Sequence, residues 1–585
     1  MASNLRFTEG GSALRYTRYH VKNQGSTGAP APLFPTPIKI SFLGGLDEIG
    51  KNMTVYEYGG EMVIIDCGMG FPDATMLGVD IVIPDFTYVL KNSQAVSAIF
   101  ITHAHEDHIG GLTYLLKQIS APVYATKLTI GLIEGKLNEA RIPNVDLRDI
   151  APGEVVHTEH FDIEAIHVNH SIPDALAYAI SCDDGTIVHT GDFKIDPTPI
   201  DGVMTDLARF GDIGNQGVLA LLSDSTNAER AGFTPSERTV GESFRNLFLK
   251  AEKRRIIVAT FASNIHRVQQ IINVAAEHNR KVALSGRSLE NVVDVSSRLG
   301  YLTIPEGTLI DLDRIREYPD DQIVLITTGS QGEPMSALAR MANSDHRRVS
   351  IGPDDYVIIS AKPIPGNEKT IGNVINELIK QGAEVVYEQM FDVHVSGHAC
   401  QEEQKIIIGL TKPEFFIPVH GEVKQLSRHA ASARDMGVPR ERIIMPANGA
   451  CISFLARDTA VITDVPAGNV LIDGSGVGDV GNAVLKERQR LSQDGVVVVS
   501  ITVDALSGYP TGAPQIETRG FVYMRESGAL IDGAYEVVED VMDGFSRQKR
   551  RDTGLLADRL RDELIHYIRE KTKRTPVIIP IVHEI

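Results

Sequence analysis

Cysteine is scarce in this chain: four in 585 residues (Cys67, Cys182, Cys400 and Cys451), far apart and with no Cys-x-x-Cys pair. That spacing argues against a disulfide framework or a thiolate zinc site and leaves the four as small buried hydrophobes. Also lacking is any apolar run long enough to span a bilayer, so membrane insertion is not expected. Residues 1–36 carry Gly, Ser, Pro and Arg but no apolar h-region; they are expected to form a flexible tail, not a signal peptide, and the protein is expected in the cytoplasm. Positive charge is in deficit, with 57 Lys and Arg against 76 Asp and Glu and a net charge of −19. Phosphate binding is driven by Lys and Arg, so the overall balance resists a nucleic-acid role. Local clusters weaken that veto. Lys253-Arg254-Arg255, and the stretch from Arg547 to Arg574 with ten Lys/Arg against five Asp/Glu, read equally well as solvated helix faces or as RNA contacts.

What is present is enough chain for several cores, roughly three to four domains at usual domain sizes. From Ile38 onward come short β-rich segments (39–43, 53–56 and 62–66) separated by Gly-rich turns, then helical patterns after Gly111 and Thr126, then strands around 162–170 and 186–192. The alternation predicts sheets covered by helices, an α/β or α+β layer fold. After about Arg230 the pattern becomes strand-then-helix, with strands at 256–260, 281–284 and 323–326 each followed by a helix. This is the grammar of a parallel, doubly wound sheet. Past Glu384 ligand-type residues resume, so the second domain reads as an insertion into the first. The Gly-rich stretch 474–481 leads to a last unit of strand 497–503, two amphipathic helices and strand 576–582. In it, Leu560, Leu564, Ile565 and Ile568 fall at helical spacing and are assigned to a core face.

The chemistry concentrates in Thr102-His103-Ala104-His105-Glu106-Asp107-His108-Ile109-Gly110-Gly111, where four metal-ligand types fall within six residues directly after an apolar strand. Strand carboxyl ends are where layered α/β proteins form their crevices. Imidazole and carboxylate together suit zinc, with manganese possible, whereas calcium or magnesium sites are built mainly from oxygen. A two-metal hydrolase needs more ligands, and His170, Asp192 and His420 each follow a further predicted strand (163–168, 186–189 and 415–417). Taken singly each is an ordinary core or loop residue; their shared placement makes them candidates.

Those motifs, preceded by Ile65-Asp66-Cys67-Gly68, resemble the ordered motifs of the metallo-β-lactamase superfamily. The insertion between Asp192 and His420 is similar to a β-CASP domain, with Ser223-Asp224-Ser225-Thr226 resembling its motif A, His394-Val395-Ser396-Gly397-His398 its motif B and His420 its motif C. The segments 44–50, 260–264, 327–334 and 518–522 resemble those of the bacterial ribonuclease J family, and the likeness runs from about Pro37 to the end of the sequence. The implied fold is an α/β metallo-β-lactamase αββα sandwich with an inserted parallel-sheet β-CASP domain and a small α/β C-terminal domain. The expected bounds are a tail at 1–36, the first sandwich part at 37–230, the insertion at 231–388, the second sandwich part at 389–472, a linker at 473–492 and the C-terminal domain at 493–585.

The resemblance implies two Zn2+ per subunit, with Mn2+ or Mg2+ as alternatives. His103, His105 and His170 would hold one ion, Asp107, His108 and His420 the other, with Asp192 bridging. Two metals about 3.5 to 4 Å apart can activate water and clamp the attacking and leaving oxygens at phosphorus. His398 is the candidate acid for the leaving 3′ oxygen, with Asp224 orienting it and Asp107 also at the reacting centre. The implied activity is RNA hydrolysis, 5′ to 3′ and with a preference for 5′-monophosphate ends, plus endonuclease activity. The implied phosphate pocket comprises His394, Val395, Ser396, Gly397 and His398 with Ala262, Ser263 and Asn264, although Ser263 and Asn264 read equally well as helix caps. Single-stranded RNA is the expected partner, with a homodimer or homotetramer and an RNA-degradation complex also implied. The rivals are a β-CASP endonuclease of the 3′-end-processing type and a small-molecule hydrolase of the same fold, which needs neither insertion nor His398. A flavodiiron reductase is disfavoured by His105 where that class has Glu, and a noncatalytic scaffold by the full ligand set.

Overall fold

The computed structural model describes residues 17–20, 33–333, 335–363, 367–507, 509–522, 528–544 and 552–585. Most of the expected tail, Pro334 of the 327–334 motif and the 547–551 part of the basic stretch lie outside the described residues. The chain divides into two compact units, one of Met1–Phe71 with Val82–Val470 and one of Pro72–Ile81 with Leu471–Ile585.

The larger unit contains the sandwich. Its first sheet has nine strands in the order Thr17–His20, Thr459–Asp464, Ala450–Ala456, Ile38–Gly44, Met53–Tyr58, Glu61–Ile65, Val96–Phe100, Val123–Ala125 and Leu147–Asp149. Its second has six, in the order Phe415–Val419, Val218–Asp224, Gly185–His189, Leu176–Cys182, Asp162–His167 and Val155–His157. Alternate residues point to opposite faces of a strand, so one face of each sheet supplies a common core that includes Phe42, Tyr56 and Phe100 from the first and Ile163, Tyr178, Leu222 and Phe415 from the second. The outer face of the second sheet is covered by helices Leu207–Gln216 and Gln401–Thr411, which bury Phe210, Ile213, Ile407 and Ile408 against Val188, Leu221 and Phe416. Helix Lys127–Glu139 lies against the far strands of the first sheet. The layers are therefore helix, sheet, sheet, helix.

Between Val218–Asp224 and Phe415–Val419 the chain leaves to build a wholly parallel five-stranded sheet. Its order is Lys281–Ser285, Ile323–Thr327, Arg255–Ala259, Asp355–Ile359 and Glu384–Tyr387. Both faces of such a sheet are covered, and its strands are accordingly almost continuously buried, with Ile323–Thr327 buried throughout. The smaller unit has strand Val496–Val503 between Gln515–Arg519, antiparallel, and Val577–Glu584, parallel. Its core takes Leu556, Leu560, Leu564 and Ile568 from helix Thr553–Thr572, the face assigned from their spacing; Ile565 is only half-buried beside it.

Two sequence expectations need correction. Thr17–His20, inside the expected tail, pairs antiparallel with Thr459–Ile462 at the edge of the nine-stranded sheet. The expected linker at 473–492 is mostly the helix Asn482–Asp494. That helix buries none of its residues, so it carries no apolar stripe by which a sequence could announce it. Among the described residues no helix is long and apolar enough to cross a membrane.

Candidate active site

Strand Val96–Phe100 ends just before Thr102 and His103, and the short helix Glu106–Ile109 follows with His105 as its N-cap residue. The loop is pinned from below. Cys67 N donates to His108 O at 2.8 Å, Met69 N to Glu106 O at 3.0 Å and Asn52 N to Asp107 O at 3.0 Å. The approach is so close that a Cβ on Gly68 would lie 1.6 Å from Asp107 O, which only glycine tolerates.

Asp66 closes strand Glu61–Ile65 with a left-handed φ of 61° and turns its carboxylate into the loop. It accepts from Thr102 N (2.8 Å) and Thr102 Oγ1 (2.9 Å), and His108 Nδ1 lies 2.7 Å away. A carboxylate can only accept, so His108 donates from Nδ1 and its Nε2 is left to face Asp192, at 3.3 Å. The same logic runs through Thr102. Its hydroxyl proton goes to Asp66, so Oγ1 accepts from His103 Nδ1 at 3.0 Å and frees His103 Nε2. His170 donates from Nδ1 to Gly397 O (2.8 Å), again freeing Nε2.

The freed nitrogens converge. His105 Nδ1 is 3.0 Å from His103 Nε2 and 3.2 Å from His170 Nε2, and Asp192 Oδ2 is 3.7 Å from both His103 Nε2 and His170 Nε2. Three inward imidazole nitrogens cannot satisfy one another by hydrogen bonds; a shared cation is what such a donor set fits. Asp107, His108, Asp192 and His420 form a second set, with His420 Nε2 3.2 Å from Asp107 Oδ2. Asp192 belongs to both sets, and also to a third with Asp224, His398 and His420. Every residue expected as a metal ligand is thus brought together.

The two sets differ in charge. Burial, reinforced by neighbouring imidazoles, holds His103 well below the ordinary histidine pKa, and burial lowers His105 to about 4 and His170 well below the ordinary range, so this set presents neutral lone pairs. Burial also opposes a charge on His108 and His420, but there the carboxylates win. Asp192, Asp107 and Asp66 raise His108 well above its ordinary value, and Asp192, Asp107 and Asp224 raise His420 to about 10. A metal in the second set would therefore compete with protons more than one in the first.

His398 stands beside the candidate metal ligands with Nδ1 2.8 Å from Asp224 Oδ2 and 3.8 Å from Asp192 Oδ2. Burial disfavours its charge, but the two carboxylates outweigh burial and its pKa is raised. Asp224 is held in turn by Thr226 N (2.9 Å) and Thr226 Oγ1 (2.8 Å). The residues from His394 to Gly397 approach from the returning chain. Ser396 Oγ accepts from Asn227 Nδ2 (2.8 Å), and Gly397 comes so near that a Cβ there would lie 2.7 Å from the His170 ring. Val395 is buried and turns its carbonyl to Arg267. Phe261, whose ring centroid is 6.5 Å from that of His394, is followed by Ala262 and Ser263, all three half-buried. Asn264 is buried and its Oδ1 caps helix Ile265–Glu277 by accepting from Arg267 N at 3.1 Å, so the capping reading describes that oxygen. Asn52, Thr102, Thr226, Asn227 and Arg267 were not anticipated. Only Thr102 and Thr226, flanking the ligand motifs, carried any sequence signal.

Four family descriptions match the chain: Metallo-beta-lactamase superfamily over residues 46–222, Ribonuclease J beta-CASP domain over 253–378, Zn-dependent metallo-hydrolase RNA specificity domain over 382–446, and Ribonuclease J C-terminal domain over 483–585. Ribonuclease J2 of Bacillus subtilis (strain 168) is 42% identical over 549 residues, which is 94% of this chain and 99% of that protein. Ribonuclease J 1 of Streptococcus pyogenes is 40% identical over 555 residues, 94% of this chain and 98% of that one. Among solved structures, a protein of unknown function from Enterococcus faecalis V583 shares the fold with a TM-score of 0.52 at 17% identity, covering 71% of this chain and all (100%) of that one.

Proposed function

The chain belongs to the ribonuclease J family of the metallo-β-lactamase superfamily, and on that premise we propose that it is a two-zinc ribonuclease, with manganese or magnesium as alternative metals. It removes nucleotides 5′ to 3′ from RNA with a 5′ monophosphate and also cuts internally, in the cytoplasm, as a homodimer or homotetramer that can join an RNA-degradation complex. The observation that carries the reading is the convergence of seven ligand-type side chains from separate strand ends beside the His398–Asp224 pair.

In this reading His103, His105 and His170 hold one metal, Asp107, His108 and His420 the other, and Asp192 is shared. Bound there, the pair supplies an activated water and a positive clamp on the phosphodiester oxygens. His398, kept protonated by Asp224 and Asp192, presents Nε2–H to the leaving 3′ oxygen. Asp224 fixes the ring by accepting from Nδ1, and Thr226 fixes Asp224. Ser396, the backbone near Gly397, and Ser263 face the terminal phosphate with His394.

The test is digestion of an RNA of about 30 nucleotides, with a 5′ monophosphate or triphosphate, by wild type and His105→Ala with added zinc or manganese. Mononucleotide release from the monophosphate end by wild type alone is expected. Internal cuts indifferent to the 5′ group would instead favour a 3′-end-processing type of endonuclease, and no cleavage by metal-loaded wild type would return the site to small-molecule hydrolysis.

A further inference from the structure

Arg267 is the largest fully buried side chain in the protein's described residues and has no exposure at all. A buried guanidinium is costly unless every donor is used, and here all five N–H groups are placed. Nε and Nη2 make a bidentate pair with Glu237, both at 2.9 Å; Nη2 also reaches Val395 O at 3.3 Å; Nη1 donates to Ser360 O at 3.0 Å and faces His394 Nδ1 at 3.0 Å. Its own backbone N is the one capped by Asn264. A single side chain therefore ties together the start of helix Ile265–Glu277, the end of strand Asp355–Ile359 and the 394–398 loop. Glu237 is itself anchored, its N donating to Asp196 and its carbonyl accepting from Gln270.

The contact with His394 fixes more than position. A guanidinium has only donors, so His394 Nδ1 must accept, and the ring carries its proton on Nε2. We propose that the Arg267–Glu237 pair is a positioning device that locks His394 as the Nε2–H tautomer, so that a 5′-terminal phosphate is met by a neutral, aimed donor in register with Ser396. This rests on the phosphate-pocket reading given above. It accords with the surroundings of His394, where burial and then Arg267, Arg230, Lys362 and Lys194 hold the imidazole uncharged. A neutral donor releases the phosphate of each trimmed end more readily than a cation, which suits repeated cycles of trimming.

The test compares kcat and KM on 5′-monophosphate and 5′-hydroxyl forms of one RNA, for wild type, Arg267→Lys, the double variant Glu237→Met with Arg267→Met, His394→Ala, and that change combined with the double variant. Arg267→Lys keeps the charge without the fork; the double variant leaves no unpaired buried charge behind. In both, the monophosphate preference is expected to fall roughly 10- to 100-fold, the loss of one charge-assisted contact. It should appear mainly as a higher KM on the monophosphate RNA, and the loss should not deepen when His394→Ala is added. A folded Arg267→Lys that keeps the preference overturns the lock, as does an equal loss on both RNAs or losses that multiply with His394→Ala. A wild type indifferent to its 5′ end overturns the pocket reading and the lock with it.

Discussion

Replacing Asp66 by Asn exchanges one oxygen for an NH2 group and reverses the instruction given to His108. The carboxylate accepts three times, from Thr102 N, Thr102 Oγ1 and His108 Nδ1. An amide keeps one acceptor oxygen, which stays with Thr102 N, and turns an NH2 group toward Thr102 Oγ1 and His108 Nδ1. His108 must shed one proton to bind a metal; the carboxylate keeps the remaining one on Nδ1, whereas the NH2 group favours an accepting Nδ1 and so retains it on Nε2, the atom that faces Asp192 and Asp107. A ligand nitrogen that carries a proton must lose it before it binds a metal. Partners that orient ligands in this way contribute about 10- to 100-fold in metal affinity, or roughly 1.4 to 2.7 kcal/mol. Competition against a chromophoric chelator should show the weakened metal in Asp66→Asn, while the first set, with His103, His105 and His170, is less affected because only Thr102 links it to Asp66. An Asp66→Asn protein that binds both metals as tightly as wild type would refute the tautomer argument.

The remaining predictions use other parts of the site and fold. Asp224→Asn removes the nearer of the two carboxylates that keep His398 protonated against burial, so the His398 pKa falls and the alkaline limb of the pH–rate profile, where the acid is lost, moves to lower pH; an unmoved limb would remove His398 from the acid role. Gly397→Ala drives a methyl to within 2.7 Å of the His170 ring and should lower activity at least about tenfold through a displaced ligand, with metal content measured alongside. Leu564→Ala empties a fully buried position in the smaller unit and should cost about 2 to 5 kcal/mol of its stability in thermal or urea unfolding.

The candidate metal ligands stood out in the sequence because imidazoles and carboxylates gather at strand ends, and hydrophobic runs reveal strand ends. Three of the five strands of the inserted sheet, at 256–260, 281–284 and 323–326, were legible for a related reason: parallel strands covered on both faces read as short, nearly continuous apolar runs. What escaped has a physical explanation in each case. Thr17–His20 is a strand only because Thr459–Ile462 offers it an edge, more than four hundred residues along the sequence. Strand Gln515–Arg519 alternates exposed and buried residues over just five positions, too few for a period to stand out. Arg267 lies on the buried face of its helix, where an apolar residue is the ordinary expectation, and its partners Glu237, Ser360 and His394 lie 30, 93 and 127 residues away.

The strands on either side of the insertion lie side by side in parallel register, Ser223 beside Pro418 and Asp224 beside Val419. The host sheet closes across the gap as though nothing had been spliced into it, and Asp224 and His420 meet at that seam. The register that brings Asp224 to His420 is therefore set by the two host strands and not by the length of chain between them. An insertion whose two ends lie on neighbouring strands can lengthen, shorten or drift in sequence while that seam stays paired.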